Sequence, residues 1–189
     1  MDFKKHFELR DKHAFLSASN YHWINYDEDR LRERWKNFRM AQEGTRLHAF
    51  AAECIALGQR LPKAKRTLNL YVNDAIGYRM QPEQILYYSE NCFGTADAIS
   101  FRKDKNGKSI LRIHDLKTGV TPACMSQLHI YSALFCLEYG FDPSSIGIVN
   151  CLYQSDEVLV DEPEPEEISS IMDKIIFFDK CIEEMKLEE

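Results

Sequence analysis

The apolar residues of this chain change their period, and that change limits the fold more than any single motif does. Up to Arg79 they recur at helical spacing. Between Gln84 and Lys117 they follow a strand-like pattern rich in Ile, Tyr and Phe. Helical spacing returns over Met125 to Tyr139, Gly147 to Tyr153 is a further apolar strand, and Glu166 to Leu187 is an amphipathic helix that follows Pro163 and Pro165. The spacing predicts helices over Tyr21 to Met40, from Thr45 to near Gly58 and over Leu68 to Arg79. The first is capped from Ser17-Ala18-Ser19-Asn20 and ends before Gly44; the second turns Leu47, Ala51, Cys54 and Ile55 inward. Strands follow over Gln84 to Ser89, Ala98 to Arg102 and Ser109 to Lys117. The order of elements reads as an α/β fold with a mixed central sheet flanked by helices. In the last helix Ile168, Ile171, Met172, Ile175, Phe178, Ile182 and Met185 form one stripe, expected to be core.

A chain of 189 residues, 44% of them hydrophobic, suffices to close one core, and a single domain over 1–189 is expected. No stretch is long and apolar enough to span a membrane, and Met1 to Arg10 is charged rather than built as a signal peptide, so a cytoplasmic protein is expected. The six cysteines lie singly, without a C-x-x-C pair, and read as reduced, mostly buried thiols. The net charge of −6 excludes a protein that grips nucleic acid with its whole surface. Two local basic clusters stand out, Arg60, Lys63, Lys65 and Arg66, and Arg102, Lys103, Lys105 and Lys108. By themselves both read as solvated faces or turns.

The chemistry concentrates between Gly94-Thr95-Ala96-Asp97 and His114-Asp115-Leu116-Lys117-Thr118-Gly119. On a strand, residues two apart share a face, so Asp115 and Lys117 point at one spot while His114 points away. The intervening Asp104-Lys105-Asn106-Gly107-Lys108 suits a three-residue hairpin loop with Gly107 left-handed. That loop pairs Asp104 with Lys108 and, counted outward, sets Asp97 opposite Asp115. A two-residue Asn106-Gly107 turn would instead set Asp97 opposite Leu116, on the wrong face. Adjacent buried carboxylates require protonation or a cation, and a hard oxygen-rich site favours Mg²⁺ or Mn²⁺.

These segments, together with Leu16-Ser17-Ala18-Ser19, Gly44-Thr45-Arg46-Leu47-His48 and Gln127-Leu128-His129-Ile130-Tyr131, resemble the motifs of the RecB-like branch of PD-(D/E)XK nucleases, which includes CRISPR-associated and phage-encoded exonucleases. The resemblance spans about Leu16 to Tyr153. It implies a restriction-endonuclease-like core in which His48, Asp97 and Asp115 ligate the metal with the Leu116 carbonyl, and Lys117 is the catalytic lysine. Gln127 and Tyr131, four apart on one helix face, would reach the mouth of the site. Glu53, five residues from His48, and His129, on another helix face, fit less well. The implied activity is Mg²⁺-dependent, exonucleolytic hydrolysis of DNA in recombination or end processing, encoded by a phage or prophage and acting in the host cytoplasm. Its partners would be DNA and a recombination or replication protein. An endonuclease of the same fold and a catalytically silent binding module are the alternatives. One departure stands out: relatives with an iron–sulfur cluster use an N-terminal cysteine and a C-terminal cysteine group, whereas this chain has His22-Trp23 and only Cys181 there, so no cluster is expected.

Overall fold

The charged N-terminal stretch forms one long helix where the periodicity predicted two. In the computed structural model, which describes residue 7 and residues 14–119 and 121–188, α1 (Glu28–Leu57) runs unbroken through Gly44. A glycine inside a helix costs only about 1 kcal/mol relative to alanine, too little to stop a helix whose flanking residues favour it. The predicted start at Tyr21 is also displaced. Ser17 caps a short 3-10 helix, Ala18–Asn25, and Asp27 Oδ1 then accepts the Arg30 N–H at 2.8 Å just ahead of α1.

The chain divides into two compact units, one ending at Thr45 and the other Arg46–Glu189, and α1 contributes to both. In the first unit Phe15, Trp35 and Phe38 form an aromatic cluster with ring centroids 5.1–5.6 Å apart. The second unit contains α2 (Thr67–Gly77), β1 (Gln81–Ser89), β2 (Cys92–Lys103), β3 (Ser109–Leu116), α3 (Ser126–Tyr139), β4 (Gly147–Gln154), β5 (Glu157–Asp161) and α4 (Pro165–Lys186). The five strands lie in the order β1-β2-β3-β4-β5. All neighbours are antiparallel except β3 and β4, which α3 connects, as a parallel pair requires. This is an α/β fold with a mixed open sheet between helices. β5 was not visible in the sequence; it folds back on β4 through Ser155 and Asp156, both at positive φ, the backbone of a tight hairpin.

Both faces of the sheet are covered. The end of α1 and all of α2 bring Ala51, Cys54, Tyr71 and Val72 against Ala98, Leu116 and Tyr153. On the other face α3 and α4 bring Leu128, Leu134 and Ile168 against Leu86, Leu111 and Ile113. The α4 stripe is core only in its first half. Ile168 is buried, with Ile171, Met172 and Ile175 packed beside it, but Phe178 and Met185 are more than half exposed. α4 has 22 residues and α3 14, so at about 1.5 Å per residue α4 outruns the helix it packs on. Of the six free cysteines, Cys54, Cys136 and Cys151 are buried as small hydrophobes, while Cys124 is exposed.

The β2–β3 hairpin adopts the three-residue loop. Asp104 N–H donates to the Lys108 carbonyl at 2.8 Å, and Gly107 N–H donates to the Asp104 carbonyl at 3.1 Å, with Gly107 at φ +84°. The Asp104 side chain adds two bonds, accepting from Asn106 N–H and Lys108 N–H. A Cβ at Gly107 meets no other atom within 4 Å, so only the backbone angle opposes substitution there. Gly107→Val is expected to lower the unfolding free energy by roughly 1–2 kcal/mol, and Gly107→Asn by much less, because a β-branched residue tolerates the left-handed region worst. Denaturant unfolding of the two variants checks this; equal losses would show that the angle is not what the turn requires.

Candidate metal centre

The ladder between β2 and β3 runs from Lys103↔Ser109 to Ala98↔His114. This is the register that the turn chemistry predicts, but the ladder ends before the expected pair of Asp97 with Asp115. At this step the strands part. Leu116 N–H donates to the Asp97 carboxylate, Oδ2, at 2.8 Å, so a side chain fills the gap that backbone pairing leaves. The two-residue alternation of β2 breaks at the same point. Ala96 and Ile99 both pack on the α3 side, while Ala98 packs on the α2 side.

β1 bends to match. Its register, Pro82↔Ala98 and Gln84↔Ala96, leaves Glu83 facing Asp97, with Glu83 at φ +50°. A residue other than glycine holds that angle at a cost of about 1 kcal/mol or more. The C-terminal part of α1 supplies His48, whose Nδ1 lies 3.4 Å from Asp97 Oδ2. Ligating atoms of His48, Glu83 and Asp97 all fall within 4.8 Å of one another. Glu83 is the residue the sequence analysis missed. A β-bulge between Tyr87 and Ser89 shifts the β1 register by one, so a count from the β1–β2 turn sets Gln84, not Glu83, across from Asp97.

Asp115 and Lys117 hold the other half of the site. Asp115 is buried, and Lys117 Nζ donates to its Oδ1 at 3.1 Å. Asp115 Oδ2 lies 2.9 Å from the same ammonium but out of line for a hydrogen bond; no donor among the described residues satisfies it. Lys117 Nζ also donates to Gln127 Oε1 at 2.7 Å, and Gln127 Nε2 donates to the Tyr131 hydroxyl at 3.1 Å. The two α3 residues expected at the mouth therefore steady the lysine in a chain. Gly94 is part of that arrangement, since a Cβ there would stand 2.9 Å from Tyr131 Cε1. Leu116, expected to lend its carbonyl, ends β3 beside both aspartates. Beyond Lys117, Gln154 Nε2 donates to the Gly119 and Thr121 carbonyls and its Oε1 accepts the Ala123 N–H, which fixes the loop leaving the site.

The charges are arranged as a cation site requires. Burial first, and then the neighbouring Asp97, pushes the Asp115 carboxyl above its ordinary range, against the opposing pull of Lys117. Glu83 is raised by burial and by Asp97. The hydrogen bond to Asp97 holds the His48 imidazole above its usual 6.5, outweighing burial. Two carboxylates and an imidazole within one ligating distance suit a hard divalent ion, so His48, Glu83 and Asp97 are the residues that fit one; Asp115, with an oxygen that has no donor, stands outside that group. The residues left out by face or spacing are accounted for otherwise. His114 is buried on the opposite face, bonded through Nδ1 to the Tyr153 hydroxyl, and burial pulls its pKa down to about 4. His129 ties α3 to β5 and α4, with Asp161 at 2.7 Å and Glu167 at 3.0 Å.

No family model matches this chain, and neither a curated protein nor a solved structure matches it.

Asp115→Asn is expected to raise the melting temperature of the metal-free protein at neutral pH, because a carboxyl whose folded pKa is raised costs stability once it ionises. The same substitution should abolish any upward shift of the melt caused by adding Mg²⁺ or Mn²⁺ to the parent protein. A variant that melts lower and still responds to the ion would overturn the ligand assignment. His48 carries the opposite pH signature. Its folded pKa is raised, so its contribution is complete below about 6.5, the unfolded value, and fades as pH rises through the folded one. His48→Gln should flatten the metal-free stability profile in that window, measured by urea unfolding across a pH series.

Proposed function

We propose that this protein is a metal-dependent DNA nuclease with a restriction-endonuclease-like core of the RecB-like kind. The observation that carries the reading is the meeting, at one end of the sheet, of an acidic and histidine cluster with a buried carboxylate that a steadied lysine addresses. His48, Asp97 and Asp115, with Glu83 beside them and the Leu116 carbonyl as a further donor, would hold a divalent ion, which when bound would supply positive charge next to a phosphodiester and make water more acidic.

The protein's own groups do the rest. Lys117 offers an ammonium fixed by Asp115 on one side and Gln127 on the other, suited to orient the attacking water or to offset the charge that develops on the phosphorus oxygens. Gln127 holds that ammonium in place, and Tyr131 holds Gln127. Asp97, through Leu116 N–H, locks the separation of the strands so that neither aspartate can collapse into the ladder. Tyr71 is buried with Ala51, Cys54 and Leu116, and its hydroxyl titration is raised first by burial and then by Asp97, Glu83 and Asp115.

The activity is exonucleolytic, serving recombination or end processing, as the motif resemblance implies. End-labelled linear DNA should be shortened from its ends only when Mg²⁺ or Mn²⁺ is present, with covalently closed circular DNA left intact; nicking of the circle would mark an endonuclease instead. Lys117→Ala should reduce cleavage by about 10²–10³-fold, the usual loss when one positioned charge is removed from a phosphate or oxyanion site. Cleavage by this variant at close to the parent rate, or DNA binding with no metal-dependent cleavage at all, would sink the reading.

A further inference from the structure

Of the two basic clusters in a chain of net charge −6, only one lies at the end of the sheet that carries the candidate centre. Arg102, Lys103, Lys105 and Lys108 surround the β2–β3 turn. Lys103 is six residues along β2 from Asp97, roughly 20 Å at about 3.3 Å per residue. Lys63, Lys65 and Arg66 belong to the exposed segment between α1 and α2, and the fold draws that segment to Lys117 through a short series of contacts. Lys117 N–H donates to the Tyr153 carbonyl at 2.9 Å, so the end of β4 runs beside the lysine. Two residues past Gln154 comes Asp156. Its Oδ1 accepts Thr67 N–H at 2.7 Å and the Thr67 hydroxyl at 3.1 Å, and its own N–H donates back to that hydroxyl at 2.7 Å. Thr67 opens α2 directly after Arg66.

A cavity of about 240 Å³ lies along this route, with Lys117, Thr118 and Gly119 on one side and Thr67, Leu68 and Ser155 on the other. It is smaller than the usual ligand pocket of roughly 300–1,000 Å³. Beyond it the three cations are exposed. Among the described residues none of them forms an ion pair, and the Asp156 carboxylate that Arg66 and Lys65 approach is bonded to Thr67. Arg66 and Lys65 are still close enough to help Thr67 hold the Asp156 carboxyl below its ordinary range.

We infer that the segment Lys63 to Arg66 is the docking surface for the phosphodiester backbone of the DNA strand that leaves the candidate centre across the Lys117–Thr67 cavity. This rests on the nuclease reading for the identity of the strand. Unpaired cations at the exit of a phosphate-cleaving site hold the strand by releasing its counterions, a term that carries no sequence preference and fades with salt. The turn cluster at the far end of the sheet has no such continuity with Lys117 and takes no part.

The test is equilibrium binding of a fluorescein-labelled single-stranded DNA oligonucleotide in chelator, where no cleavage occurs, followed by anisotropy over a salt series. The triple variant Lys63→Ser/Lys65→Ser/Arg66→Ser should bind more weakly, and the slope of log affinity against log salt should fall by about 2, since each lost phosphate contact removes roughly 0.7 on a single strand. Lys103→Ser/Lys105→Ser should leave both values as in the parent, and circular dichroism melts should show both variants folded. An unchanged slope in the triple variant, an equal loss in the turn variant, or no measurable binding by the parent would each overturn the proposal. Cleavage of linear DNA by the parent is read separately. A nuclease with an unchanged slope keeps the nuclease reading and loses this one, and a non-cleaving protein with the reduced slope does the reverse.

Discussion

The hydrogen bond from Leu116 N–H to the Asp97 carboxylate stands where two demands on β3 conflict. Up to His114 the strand is paired with β2 on one side and β4 on the other. At Leu116 it continues with β4, through Leu116↔Tyr153 and the Lys117–Tyr153 bond, and lets β2 go. The released Leu116 N–H must find an acceptor, because a buried amide without one costs about 1–3 kcal/mol. The acceptor is Asp97. One bond therefore satisfies the backbone, holds the carboxylate in the gap and opens the crevice into which His48 and Glu83 reach. The crevice lies past the carboxyl ends of the parallel pair β3 and β4, where α/β sheets commonly build their sites.

The electrostatic character of the site follows from that geometry. Once Asp97 is fixed between the strands, Asp115 follows the last β2–β3 pair, Ala98 with His114, and Glu83 faces Asp97 between two β1–β2 pairs. Asp97 in this position raises both Glu83 and Asp115, each of which burial also raises. Local consistency is given up here in two ways: a glutamate in the left-handed region, and a buried aspartate oxygen without a donor. Departures of this kind gather where a fold holds a cation or a substrate. The far side of the site is steadied by ordinary packing and hydrogen bonding. Gly94 leaves room for Tyr131, Tyr131 supports Gln127, and Gln127 with Asp115 positions Lys117.

The long-range clip between Thr67 and Asp156 links this chemistry to the protein surface. A turn with two residues at positive φ delivers a carboxylate to the start of α2, and the basic segment before that helix is carried with it to the Lys117 end of the sheet. An acidic protein thus carries exposed positive charge at the end of the sheet where Lys117 lies.

The sequence by itself determined what depends on residues near one another in the chain. Asp104 to Lys108 specify their own loop, because Gly107 accepts the left-handed angle and Asp104 bonds the turn amides, and the loop in turn fixes the β2–β3 register as far as Ala98 and His114. The i, i+2 rule on a strand brings Lys117 to Asp115, and the i, i+4 rule on a helix joins Gln127 to Tyr131. Tertiary structure decided the rest. Gly44 does not end α1, since the cost of one glycine is smaller than what the surrounding helix supplies. The bulge between Tyr87 and Ser89, not visible in the apolar pattern, chooses Glu83 over Gln84. The position of the Lys63 to Arg66 segment rests on contacts between residues about ninety positions apart, those of Thr67 with Asp156. Turn and strand chemistry act over a few bonds and can be counted along the chain. A bulge, a parted ladder or a clip across the fold depends on which surfaces finally meet, and only the folded chain brings those surfaces together.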